Sequence, residues 1–198
     1  MTNLTQAHPL FADQTALQLQ FSGFERQILQ LAQVIGFTLA DLMIDHAAIR
    51  VNSAAQGRIW LEALLKCGRI LSDNIVNGRL IYLLLLDQPL LLAGQAVSIV
   101  ELPMPKKKHY PQEGWEHIEI VFPFLAKESP NEWLERVIRQ FSLNKNRLLE
   151  VKVDEPKVKG ERLCNISVAI RLINNTQNNA CIKLHPHHII DVVQSERQ

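Results

Sequence analysis

One stretch in the second half of the chain alternates apolar and polar side chains. Period-two spacing over residues 115–122 puts Trp115, His117, Glu119 and Val121 on one face, opposite a mostly apolar face. The pattern predicts a half-buried β-strand. The face with His117 and Glu119 carries groups that could hold a cation, and it could be turned into a cavity. On this segment alone, an edge strand with its polar face in water is the favoured interpretation.

A similar pattern of residues occurs earlier in the chain, and it favours the cavity over the edge of a sheet. An acid, a His, two further residues and an Ile occur at residues 45–49 and again at residues 116–120. A Trp-Leu-Glu tripeptide follows each copy, beginning at Trp60 and at Trp133. Ordered self-similarity is typical of a duplicated unit, and two copies are expected to pair with each other.

Each copy predicts the same order of elements, βαβββ. The first module is expected at residues 45–105 and the second at residues 113–186. Asn77-Gly78 predicts a hairpin in the first module, and residues 87–94 predict a longer loop. The predicted fold class is therefore α+β, with paired βαβββ modules forming one curved, cup-like mixed sheet.

Helical segments are predicted on both sides of these modules. Apolar spacing from residue 14 and a short connector predict an N-terminal helical region at residues 14–44, which Ser22-Gly23 could divide. The residues before it are expected to form a loose arm. Pro186 opens a short C-terminal helix at residues 187–198, and the whole chain, 1–198, is interpreted as a single domain.

Composition and charge exclude several classes of function. A net charge of +1 argues against nucleic acid as the partner, and no stretch reaches the length of a membrane span. No signal peptide is visible. Cys67, Cys164 and Cys181 form no CxxC pair, so they are interpreted as reduced core residues of a cytoplasmic protein.

Four side chains are predicted to converge on a metal ion. His46 and His117 occupy matched positions on the first strand of each module, and Glu101 and His185 lie at the ends of the two fourth strands. Imidazole and carboxylate suit a borderline divalent metal. A histidine held by structural hydrogen bonds and a Glu facing water are the alternatives for these positions. Because His46 and His117 occupy matched positions in the two modules, a metal site is favoured over these alternatives.

Other polar residues near these strands carry weaker signals. Lys183, Arg50 and Arg79 could bind an anionic substrate. The alternatives are a lysine that only lines the barrel and arginines that form surface salt bridges. Asp45 and Glu116 could orient the imidazoles. Because adjacent residues of a strand face opposite ways, we expect these two acids to face solvent.

Several short motifs together give the chain a resemblance to a known family. They are Asp45-His46, Arg50-Val51, Asn77-Gly78-Arg79, Val100–Pro103, Tyr110-Pro111, Gly114–Val121, Glu161-Arg162-Leu163, Lys183 and His185-Pro186. The chain resembles the YecM family and, more broadly, the vicinal oxygen chelate superfamily, which includes glyoxalase I and bleomycin-resistance proteins. The resemblance implies metal ligands at His46, Glu101 and His117. The superfamily's fourth ligand is usually a Glu on the eighth strand, where this chain has Lys183 and His185.

Two classes of function follow. The first is a metal-dependent isomerase, lyase or oxygenase that acts on a small oxygen-bearing molecule, with Glu101 or Glu119 moving protons. The second is a non-catalytic module of the same fold that sequesters a small molecule. A neutral imidazole ligates more readily than a lysine, so His185 is predicted as the fourth ligand or as a water-bridged neighbour of the metal, with Lys183 contacting an anionic substrate. Such a donor set favours zinc, nickel or iron(II) over magnesium.

Overall fold

The computed structural model describes residues 8–155, 163–175, 178 and 180–196. Glu161 and Arg162 of the motifs above lie outside the described residues. The helices are α1 (Thr15–Ile35), α2 (Ala54–Leu65), α3 (Pro130–Gln140) and α4 (Ile189–Glu196). The strands are β1 (Met43–Arg50), β2 (Gly68–Val76), β3 (Arg79–Leu92), β4 (Gln95–Pro103), β5 (Gly114–Val121), β6 (Leu149–Asp154), β7 (Ser167–Leu172) and β8 (Cys181–His185).

These strands form one mixed sheet in the order β2-β3-β4-β1-β5-β8-β7-β6. β1 pairs parallel with β4, β5 pairs parallel with β8, and β1 and β5 pair antiparallel at the centre. Each half of the sheet therefore repeats the same strand order outward from the centre, related by a pseudo-twofold axis between β1 and β5. The predicted α+β fold, with two βαβββ modules paired in one curved sheet, is confirmed.

The main hydrophobic core lies between this sheet and helices α1, α2 and α3. The indole of Trp115 packs within 5.0–6.1 Å, between ring centroids, of Phe21, Phe24 and Trp60. Trp133 on α3 is fully buried, and its Nε1 donates a hydrogen bond to the Phe122 carbonyl oxygen at 2.6 Å. Burying these large aromatic side chains is a major source of stability, and it fixes the central strands against the helices.

The N-terminal region is more ordered than its sequence predicted. α1 runs without a break through Ser22-Gly23 and ends at Gly36, whose left-handed φ of 89° suits glycine. Before it, Pro9–Phe11 form a short 3-10 helix, and the buried Phe11 ring lies 5.2 Å from that of Phe21. The expected loose arm is therefore wrong for residues 8–12, because two apolar side chains there join the core.

The turns of the first module are tight. Asn77 and Gly78 both have positive φ, as the predicted hairpin requires. The loop predicted at residues 87–94 is instead mostly strand, since β3 continues to Leu92 and turns at Ala93-Gly94. Its register with β4 shifts between Leu85 and Leu90, and the extra residues there accommodate Pro89 in an irregular bulge.

Two further expectations can be compared with the structure. In the part of the chain that the structure describes, no helix is long and apolar enough to cross a membrane. Cys67 and Cys181 are buried as expected, whereas Cys164 is only half-buried.

Candidate metal centre

A β-bulge shapes each half of the site. Along the β1–β5 ladder, the pairing shifts by one residue at Asp45 in β1 and again at Glu116 in β5. Each bulge inserts one unpaired residue and re-aims the side chains beside it. Asp45 and Glu116 therefore share a face with the histidine that follows them, contrary to the expectation that they face solvent. The bulge also turns Trp115 into the core, so its predicted place beside His117 is wrong.

Both acids accept a hydrogen bond from the adjacent imidazole. His46 Nδ1 lies 3.1 Å from Asp45 Oδ2, and His117 Nδ1 lies 2.9 Å from Glu116 Oε2. A carboxylate that accepts from Nδ1 fixes the ring orientation and leaves Nε2 free to ligate a metal. Both rings are fully buried, and neither Nε2 has a hydrogen-bond partner among the described residues. Two buried imidazole nitrogens thus point into the site unsatisfied.

Two carboxylates face these nitrogens. Glu119 Oε1 lies 3.4 Å from His117 Nε2 and 3.7 Å from His46 Nε2, and the Glu101 oxygens lie 3.9 Å from each. Ligand atoms about 2.0–2.2 Å from one tetrahedral ion are about 3.3–3.6 Å apart. The separations are close to that spacing. The structure thus places ligand atoms of His46, His117 and Glu119 within 4.8 Å of one another. The predicted ligand Glu101 lies beside them and approaches each imidazole through a different oxygen.

Closely spaced ionisable groups shift one another's pKa values in this site. Burial alone would lower the pKa of His46, but Glu119, Asp45 and Glu101 outweigh it and raise that pKa to about 9. Burial would raise the pKa of Glu119, yet Lys183 and the nearby imidazoles hold it well below its usual value. The neighbouring groups therefore favour the charged forms of both Glu119 and His46.

His185 belongs to a neighbouring group of side chains. Its Nε2 lies 3.0 Å from Asp45 Oδ2, and its Nδ1 lies 3.6 Å from Glu119 Oε2. His188 Nε2 lies 3.0 Å from the other Asp45 oxygen, and the amide of Ile189 donates to Oδ2 at 3.0 Å. Asp45 therefore links the start of α4 to His46. Whether His185 is the fourth ligand stays a prediction; Glu119, whose Oε1 lies 3.4 Å and 3.7 Å from the two Nε2 atoms, is the other candidate.

Lys183 takes the place that corresponds to Glu101. Glu101 is opposite Ala48 in the β1–β4 ladder, and Lys183 is opposite Glu119 in the equivalent β5–β8 ladder. Its Nζ donates to Glu119 Oε1 at 2.7 Å. Although burial opposes the charge, Glu119 and Glu101 raise the Lys183 pKa above its usual value. Lys183 is thus a cation held by Glu119, so it is only partly available to a substrate.

A cavity of about 360 Å³ opens over this group. Glu101, Glu119 and Lys183 line it on the side of the imidazoles. Arg79, which was predicted to contact substrate, lines it too, as does Arg50, which was considered for the same role. The cavity therefore connects the candidate metal ligands with a cationic wall.

Sequence analysis gave too little weight to three residues at this site. It placed Glu119 on a face that could hold a cation but assigned it only to proton transfer, and it favoured solvent over the imidazoles for Asp45 and Glu116. The signal for the two acids was present, since both repeats place an acid directly before the histidine. A duplicated acid-His pair is best explained by a function for the acid, and that function requires a bulge.

Comparison with known proteins finds relatives over nearly the whole length of the chain. The family model described as "YecM protein" matches residues 13–196. An uncharacterised protein of Haemophilus influenzae is 53% identical over 189 residues, 96% of this chain and 95% of that protein. Protein YecM of Escherichia coli is 37% identical over 85% of this chain and 86% of its own length.

A solved structure agrees with the sequence relatives. That protein, Structural Genomics Protein EC4020, has a TM-score of 0.79 at 30% identity, and the match covers 98% of this chain and 100% of the other. The fold and the sequence relatives agree from end to end, and this chain belongs to the YecM family.

Proposed function

We propose that this protein binds one divalent metal through His46, His117 and Glu101, completed by Glu119 or His185, and acts on a small oxygen-bearing molecule. The observation that carries the proposal is the pair of buried, unpartnered Nε2 atoms facing two carboxylates. Burying a polar nitrogen without a partner is costly, and a bound cation removes that cost.

The donor set favours particular metals. Two imidazoles with one or two carboxylates suit zinc, nickel or iron(II), whereas magnesium prefers a site made of oxygen. The bound metal would supply Lewis-acid polarisation of neighbouring substrate oxygens, as in the vicinal oxygen chelate superfamily. Glu101 and Glu119 lie where a carboxylate could move a proton on that substrate. An isomerase, lyase or oxygenase fits this arrangement.

One observation favours a second candidate, a non-catalytic module that sequesters its ligand. Lys183 holds Glu119 in an ion pair of 2.7 Å. A carboxylate occupied in this way is a weaker ligand and a weaker base. A protein that only retains a small molecule needs neither property.

Metal content tests the proposal directly. Protein purified without an affinity tag should contain about one metal ion per chain, measured by elemental analysis. Calorimetric titration of metal-free protein should show one tight site that His117→Ala abolishes. His109→Ala is the matched control, because His109 is an exposed histidine outside the cluster. Equal metal affinity in wild type and His117→Ala would exclude the site.

The fourth ligand needs its own comparison. If His185 is a ligand, His185→Ala should weaken metal binding and Lys183→Ala should not. If Glu119 is the ligand, Lys183→Ala should strengthen binding by freeing its carboxylate, and Glu119→Gln should weaken it. A metal-loaded protein that retains a hydroxyketone unchanged would favour sequestration over catalysis.

A further inference from the structure

The cavity over the candidate metal centre has two chemically different ends. We propose that its second end binds an anionic group of the ligand through Arg50 and Arg79. The ligand would be a small organic acid with two neighbouring oxygens at one end and a carboxylate or phosphate at the other. This inference rests on the proposed function for the first end only.

Arg50 carries the strongest evidence. It is only 8% exposed, and its Nε donates to Glu116 Oε2 at 2.8 Å, with Nη2 on the same oxygen. The guanidinium also lies 4.8 Å from the centre of the Tyr110 ring. Nη1 is buried and has no hydrogen-bond partner among the described residues. The guanidinium is thus fixed in orientation, with one donor left for a ligand.

Arg79 adds a second unsatisfied donor on the same cavity wall. Its Nε is buried and lacks a partner within the described part of the chain. Lys106 and Lys108 line this end as well, and the structure gives no ion pair for these three cations among the residues it describes. The one acid on this wall apart from Glu101 and Glu119 is Asp154, which lies 3.3 Å from Lys152. The wall therefore carries uncompensated positive charge.

The shared Glu116 carboxylate sets the distance between the two ends. Arg50 follows His46 by four residues on the same face of β1. Glu116 Oε2 accepts from Arg50 Nε at 2.8 Å and from His117 Nδ1 at 2.9 Å, so these two nitrogens are at most about 6 Å apart. Arg79 lies across β4 on β3, close to the level of Arg50, because Ile81 is opposite Pro103. A cavity of about 360 Å³ that spans this distance suits a ligand of small-metabolite size.

Lys183 is the less suitable anion receptor, although sequence analysis favoured it. Its Nζ is held at 2.7 Å by Glu119, inside the group of candidate ligands. Planar guanidinium groups recognise carboxylate and phosphate with paired hydrogen bonds, which a lysine cannot do. The two unsatisfied arginine donors therefore set the ligand class.

Matched pairs of hydroxy acids test the inference on zinc-loaded protein. Lactate and malate share the chelating oxygens, but malate adds a carboxylate. Glycerate and 3-phosphoglycerate differ in the same way by a phosphate. We expect the better distal anion to raise affinity at least about tenfold in calorimetry, the effect of a charged hydrogen bond. The pair with the larger gain in affinity, lactate to malate or glycerate to 3-phosphoglycerate, identifies the distal anion as a carboxylate or a phosphate.

Two variants assign the effect to this wall. Arg79→Gln should remove most of the gain from the distal anion, measured as the affinity ratio of malate to lactate and of 3-phosphoglycerate to glycerate. Lys107→Gln is the matched control, since Lys107 is exposed on the neighbouring loop and does not line the cavity. Arg50→Lys should also reduce the gain, provided that urea unfolding shows a folded protein. Equal binding within both pairs, or a full gain in Arg79→Gln, would overturn the inference.

A measurement without metal separates this inference from the metal proposal. Metal-free protein should bind succinate, which offers carboxylates but no hydroxyl group, and Arg79→Gln should weaken that binding. If zinc does not bind but succinate does, the metal proposal fails and the anion end stands. If zinc binds but no distal anion is preferred, this inference fails alone.

Discussion

The Glu116 carboxylate joins the two ends of the site, so replacing it is the most informative single change. Its Oε2 accepts from Arg50 Nε at 2.8 Å and from His117 Nδ1 at 2.9 Å. Glu116→Gln keeps an oxygen acceptor but leaves the buried Arg50 without a counter-ion. Breaking a buried ion pair from one side costs about 3–5 kcal/mol. We expect a loss of about 3 kcal/mol in the free energy of unfolding, measured with urea, because the amide oxygen still accepts.

The same change should weaken the candidate metal site. Loss of the carboxylate that orients a ligand imidazole typically lowers metal affinity by about 10–100-fold. We expect an effect in this range for zinc, measured by calorimetry near neutral pH. Glu62→Gln, at an exposed position of α2, should change neither quantity. Arg50→Gln combined with Glu116→Gln should recover part of the lost stability, since no unpaired charge then remains.

The loss of stability in Glu116→Gln should depend on pH in a defined direction. Although burial raises it, the pKa of Glu116 is held well below its ordinary value of 4.5 by His117 and Arg50. A lowered native pKa stabilises the fold above the unfolded value and loses that effect as pH falls towards the native value. The stability gap between wild type and Glu116→Gln should therefore be constant above about pH 5 and shrink below it. An unchanged free energy of unfolding together with unchanged zinc affinity would refute the reasoning.

Three further predictions concern residues outside the site. The pKa of Glu128 is lowered by its hydrogen bond from Arg136, so Glu128→Gln should destabilise the protein to urea above pH 4.5 and lose that effect at lower pH. Burial raises the pKa of Cys181 to about 12, so in native protein iodoacetamide should leave Cys181 unmodified and react first at the half-buried Cys164, as mapped by mass spectrometry. Ser129→Ala removes the capping box of α3 and should cost about 1 kcal/mol in urea unfolding; no change in midpoint would contradict the cap.

Much of the fold could be predicted because the repeated motifs and the turn residues can be recognised directly in the sequence. The duplicated acid-His and Trp-Leu-Glu patterns located both modules, and Asn77-Gly78 located a hairpin with two positive φ values. The extent of β3 could not be predicted in this way. Asp87-Gln88-Pro89 resembles a loop locally, and only the partner strand β4 keeps those residues in the sheet through a bulge.

The site was predicted in part for a related reason. Alternation along β5 assigns His117 and Glu119 to one face, but it assumes an unbroken pleat. A single extra residue at Glu116 reverses the pattern for the residues before it, moving Trp115 to the core and Glu116 to the face that carries His117 and Arg50. Pairing between strands decides where a bulge forms. A single segment does not contain that information.

The antiparallel pairing of β1 with β5 also has a consequence for folding kinetics. His46 and His117 lie on opposite sides of this seam, and the residues joining the two strands form an entire module. Closing such a long loop costs chain entropy, so contacts across the seam are expected to form late. An ion bound across it would act mainly after the rate-limiting step. It should therefore slow unfolding much more than it speeds refolding, so that the metal-loaded protein persists far longer in denaturant than its refolding rate alone would suggest.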